Sequence, residues 1–100
     1  MKFKSEKDVF VEALAAAGRV VGRSLGATQG ILLALTGSQL TVTGTDLDIT
    51  TRVNLDAIGF EDGAVLVPAR LLVDAVRTLE AGAVTVETKG YKVEVSLAKT

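Results

Sequence analysis

Asp46 and Asp48 stand two residues apart, so on an extended strand both carboxylates point to the same side. Paired carboxylates can bind a divalent cation or share acid–base work. No third ligand or base lies at a recognisable spacing from them, and the pair reads as a turn or strand-end feature. Gly22, Gly26 and Gly30 suggest a glycine-rich loop, but the Gly-Lys-Ser/Thr that completes a nucleotide-phosphate loop is absent. A weaker reading makes the stretch from Gly18 to Gly30 a loop that binds a small ligand. Composition removes other chemistries. With no Cys, His or Trp, the chain can form no disulfide. Nor can it build a zinc site of thiolates and imidazoles, or a triad whose base is a histidine. The expectation is a protein that is not an enzyme and uses no cofactor and no metal.

Eleven basic residues against twelve acidic ones give a net charge of -1. That is not the balance of a protein that grips nucleic acid through a dense phosphate-binding patch. Any such role must rest on where the charges sit, or on topology. One hundred residues make a single domain (1–100) with one core, and an apolar fraction of 48% can fill it. Met1-Lys2-Phe3-Lys4 leads into a charged stretch rather than an apolar run, so no signal peptide is expected. The apolar runs fall far short of the ~20 residues of a membrane span. A cytoplasmic protein with no membrane partner is expected.

The elements that must position the charges follow from periodicity. Met1 to Lys4 forms a short strand. Ser5 to Asp8 fits a capping box, Ser5 being the N-cap, and predicts a helix to about Val20. Phe10, Leu14, Ala17 and Val21, beside Val9, Ala13 and Val20, recur at helical spacing. Gly18 to Gly30 reads as a loop. Strands follow over Gly30 to Thr36, Gln39 to Thr43 and Asp48 to Leu55, with a turn at Gly37-Ser38. After Asp62-Gly63 comes a strand from Ala64 to Val67. Pro68 suits the first turn of a second helix. Its apolar stripe is Leu71, Leu72, Ala75, Val76 and Leu79, and Gly82 ends it. Val84 to Glu87 and Lys92 to Ser96 form a last hairpin around Lys89-Gly90.

The chain also repeats itself. Val11 to Leu14 matches Val73 to Val76 at an offset of 62 residues, which brings Phe3 onto Val65 and Phe10 onto Leu72. Leu32, Ala34 and Thr36 of the first hairpin are matched to Val84, Val86 and Thr88 of the last. The reading is an internal pseudo-repeat of about 1–55 and 62–100. The expected fold class is α+β, built from two pseudo-repeated strand-helix-strand units, with two adjacent helices packed on antiparallel sheet.

Several of these segments together resemble a known family. They are Met1-Lys2-Phe3-Lys4, the helix with Asp8, Phe10 and Leu14, the stretch Leu40 to Asp48, and Val65 to Leu72. In that order and spacing they are similar to the N-terminal domain of the bacterial DNA polymerase III beta subunit, the DNA sliding clamp. The resemblance implies the DNA clamp fold, with sheets outside and two helices facing a pore, and a ring of six such domains. It implies a topological function: encircling double-stranded DNA without sequence preference and making a replicative polymerase processive. Two departures stand out. Arg23 to Gln29 lacks both prolines that the family's loop carries, and the family domain continues into a further strand beyond Thr100. The polymerase and the clamp loader are expected as partners only in the full-length family context, because the client pocket lies between later domains. A truncated or engineered domain is expected, and the alternative function is a clamp-like scaffold with no replication activity of its own.

A ring that slides needs phosphate attraction that is weak and spread out. On the first helix the apolar stripe leaves Lys7, Val11, Glu12, Ala15 and Arg19 outside, and Arg23 falls on the arginine of the family's DNA-facing loop. On the second helix Arg70, Val73, Asp74 and Arg77 lie outside. Arg70 and Arg77 are about two turns apart and share a face. Arg23, Arg19, Arg70, Arg77 and Lys7 are the expected DNA-binding set. Charges on an amphipathic helix are more commonly a solvated face, and Arg19 and Arg77 also suit helix C-termini. Homo-oligomers joined through sheet edges are expected.

Overall fold

Phe10, Ala13, Leu14 and Ala17 repeat at the spacing of one helix face, and all four are buried. They drive a computed structural model of the chain that describes residues 1–21, 30–46, 49–79, 82–89 and 92–97. The elements run β1 (Lys2–Glu6), α1 (Lys7–Val21), β2 (Gly30–Thr36), β3 (Gln39–Asp46), β4 (Ile49–Asp56) and β5 (Ile58–Glu61). Then come β6 (Gly63–Pro68), α2 (Ala69–Arg77), β7 (Ala83–Lys89) and β8 (Lys92–Leu97). They build two four-stranded sheets of orders β5-β1-β7-β8 and β4-β3-β2-β6. Every described pairing is antiparallel.

The connectivity crosses between the sheets. β1 leads into α1 but pairs with β7, while β6 leads into α2 but pairs with β2. Each strand that enters a helix is thus paired with the hairpin that follows the other helix. One core lies between the layers. Phe3 meets Phe10 edge to face, 5.5 Å between centroids, and joins Ile31, Leu33, Leu40, Val42, Val84 and Val86 in it. Burying a side chain such as Phe10 or Leu14 is worth about 1.5–3 kcal/mol. α1 lies on β3 and β4 and also touches α2, so the two helices are neighbours.

Gly44 allows α1 to come this close. A Cβ at Gly44 would run into the carbonyl oxygen of Ala17 and stand 3.0 Å from its Cα. The helix backbone therefore rests directly on β3.

Several sequence expectations change. Ser5 does not cap α1. It is buried in β1, which pairs with β7 through Glu6↔Ala83 and delays the helix to Lys7. Sheet pairing here overrides the local capping signal. β5, which no sequence pattern marks, is a strand because the chain continues from β4 onto β1. Pro68 is the last residue of β6 and the N-cap of α2, with extended backbone. α2 ends at Arg77 with Thr78 as C-cap, well before Gly82. Val9 is 48% exposed and Ala75 is exposed, whereas Val11 and Val73 pack partly against the core. Leu32 faces solvent while Val84 is buried, so that match is out of step by one residue. β2 is apolar on both faces, and alternation alone did not fix its register. The strand pairing instead aligns Ile31 and Leu33 with Val84 and Val86.

Candidate functional site

The helix layer is where the basic residues of interest fall. Arg19 stands in the last turn of α1 and Arg77 is the last residue of α2. Both side chains are exposed. The Arg19 Nε donates to the Ala15 carbonyl one turn back, at 3.3 Å, using one of the five N–H groups of the guanidinium. Cations at helix C-termini are also favoured by the helix dipole.

Lys7 behaves differently. Its ammonium donates to the carbonyl of Arg77 at 3.3 Å and also to the carbonyl of Leu79. Its side chain is half-buried, and its backbone N–H donates to Gly82 at 2.8 Å. The start of α1 is thereby held against the end of α2. Position 7 lies three residues before Phe10 and seven before Leu14, on the inward side of the helix. That spacing was the available sign that Lys7 is not on the outer stripe.

The structure therefore brings Lys7 and Arg77 together at one end of the helix pair. Arg19 lies twelve residues along α1, about 18 Å away by helical rise. Arg70 belongs to α2 and stands about 10 Å from Arg77 along the axis; its side chain is outside the described set. Arg23 and the rest of the 22–29 segment also lie outside the described residues. Exposed carboxylates are interleaved with this set: Asp8 and Glu12 on α1 and Asp74 on α2. Such a surface can attract a polyanion only diffusely.

Other candidate chemistry is not assembled. Asp48 lies outside the described residues, and no group of three potential metal ligands occurs among those described. Lys92, 3.0 Å from Glu94 on β8, holds that carboxyl below its usual range, far in the chain from either helix. No helix among the described residues is long and apolar enough to cross a membrane.

Two sheets carrying two adjacent helices are shared with known proteins. Residues 1–99 match the family described as "DNA polymerase III beta subunit, N-terminal domain". The chain belongs to that family. The beta sliding clamp of Streptomyces coelicolor is 36% identical over 97 residues, covering 95% of this chain and 26% of the relative. The beta sliding clamp of Vibrio cholerae is 35% identical over 100 residues, covering 95% and 27%. Among solved structures, the polymerase III beta subunit of Caulobacter crescentus superposes with a TM-score of 0.89 at 26% identity, covering 100% of this chain and 28% of that one. The subunit from Pseudomonas aeruginosa gives 0.88 at 27% identity, with the same coverage. The chain thus spans about a quarter of the length of the clamps it matches. Its two-sheet, two-helix architecture is the clamp-domain fold.

Proposed function

We propose that the chain is a sliding-clamp domain that contributes one helix-lined segment to a ring around double-stranded DNA. The observation that carries this reading is the adjacency of α1 and α2, with Arg19 and Arg77 exposed at separated points and carboxylates between them. Spread, weak attraction to phosphates suits a protein that must hold DNA and still move along it. Arg19, Arg23, Arg70 and Arg77 form the DNA-facing set. Lys7 stands beside them, its amine directed at α2. Sequence is not read, and no catalytic step is involved.

The domain is an internal pseudo-repeat of about 1–55 and 62–100. The Glu6/Lys7 and Pro68/Ala69 strand-to-helix junctions support it, being 62 residues apart. Assembly proceeds by homo-oligomerisation through sheet edges. β5, β8, β4 and β6 are the outer strands of the two sheets, and β5 exposes Ile58 and Phe60. In a full-length clamp the ring confers processivity on a replicative polymerase in the cytoplasm. Family membership favours this over a clamp-like scaffold with no replication role.

Retention on circular and linearised duplex tests the topological part. Native mass measurement should show an oligomer that stays with closed circular DNA and is lost when the same DNA is cut. Equal retention on both forms, or a monomer across the micromolar range, would remove the ring from the proposal.

A further inference from the structure

We propose that Lys7 is a positioning residue: its ammonium ends α2 from the neighbouring helix and so fixes where Arg77 stands. The functional half of this inference rests on the DNA-facing reading above; the structural half does not. α2 stops without a glycine terminator. Thr78 closes it in ordinary right-handed geometry, its N–H donating to Asp74 at 3.2 Å and that of Leu79 to Val76 at 3.1 Å. Gly82, the residue with positive φ, comes four positions after Thr78. The last carbonyls of a helix have no partner within it and carry the negative end of its dipole. Lys7 supplies charge to one of them, that of Arg77, and to the carbonyl of Leu79 just beyond the C-cap. The Lys7 N–H bond to Gly82 anchors the same connection from the main chain.

Three hydrogen bonds from one residue therefore bind Arg77, Leu79 and Gly82 to the first turn of α1. Sixty-two residues later the corresponding first residue of α2 is Ala69, whose type offers no such donor. Among the described residues the device occurs at one end of the helix pair. Because Arg77 contributes one of the accepting carbonyls, its backbone is set by Lys7 directly. An amine committed to two carbonyls has little left to offer a phosphate.

Two arms test this on the full chain. In the first, hydrogen exchange at the Thr78 and Leu79 amides is compared among wild type, Lys7→Met and Lys7→Arg. Loss of a charge-assisted bond should speed exchange roughly tenfold in Lys7→Met, while Lys7→Arg restores most of the protection. Unchanged exchange in Lys7→Met at equal global stability would overturn the proposal. In the second, affinity for closed circular duplex DNA is measured against salt in a cycle of Lys7→Met and Arg77→Ala. Dependence of Lys7 on Arg77 predicts non-additive losses and no further fall in salt slope from Lys7→Met once Arg77 is gone. An independent fall of about one in the slope would make Lys7 a phosphate contact and overturn the positioning role. Absence of any duplex binding by wild type would count against the DNA-facing reading, and the exchange arm would still decide whether Lys7 ends α2.

Discussion

Helix α1 runs for 15 residues and buries Phe10, Ala13, Leu14 and Ala17. α2 runs for 9 and buries Leu72 and Val76. Both begin where a strand ends, and both touch each other. Beyond that, α1 lies on β3 and β4, while the closest supports of α2 are α1 and β6. The contrast can be followed residue by residue at the offset of 62. Ala13 is 3% exposed, whereas Ala75 is exposed to solvent. Ala17 is fully buried, and Leu79 only partly. Opposite Ile31 in the first hairpin stands Gly44; opposite Val84 in the second stands Leu97. The glycine lets the backbone of α1 settle onto β3. Both helices pack into the core, α1 on strands β3 and β4 and α2 chiefly on α1 and β6. Two units of similar pattern can thus share a topology and differ in what stabilises them.

A charge at the two matching alanines should separate the helices most strongly. Ala13→Glu buries a carboxylate with no partner and should cost more than about 4 kcal/mol. That is a large fraction of the roughly 5–15 kcal/mol by which a domain this size is stable. Ala75→Glu should stay within about 0.5 kcal/mol of wild type. Urea denaturation of both variants checks the pair, and similar losses would mean that α2 is covered as closely as α1. A smaller effect is expected at Gly44→Ala. The added Cβ meets backbone rather than a flexible side chain, so α1 must lift from β3 at a cost of about 1–3 kcal/mol. A measured loss near zero would show that the Gly44 contact does not set the depth of α1.

Much of the fold was legible in the sequence because apolar periodicity is strong where one face is buried. Phe10, Leu14 and Ala17 announced α1, and the alternation of Gln39 to Thr43 announced β3. The features that escaped were decided by distant pairing. Ser5 carries a capping signal, yet β1 extends past it because β7 supplies hydrogen-bond partners as far as Ala83. β5 has four exposed residues and no alternation to betray it. β2 is apolar on both faces, so the match of Leu32 to Val84 slipped by one. At the candidate site, the outward positions of Arg19 and Arg77 followed from the helix pattern. Lys7 was grouped with them because charge suggests solvent. Its spacing to Phe10 and Leu14 placed it inward, but its partners at the end of α2, seventy residues further along the chain, no local pattern reveals.

If the paired helices present a dispersed basic surface to duplex DNA, that surface sets how binding responds to salt. The most direct test is the salt dependence of DNA binding by a variant carrying Arg23→Glu, Arg70→Glu and Arg77→Glu together. Wild type should bind with a clear negative slope against salt. The triple variant should lose salt-sensitive binding while its oligomeric state is unchanged. Equal slopes and affinities in the two proteins would contradict the account and move any DNA contact off the helix face.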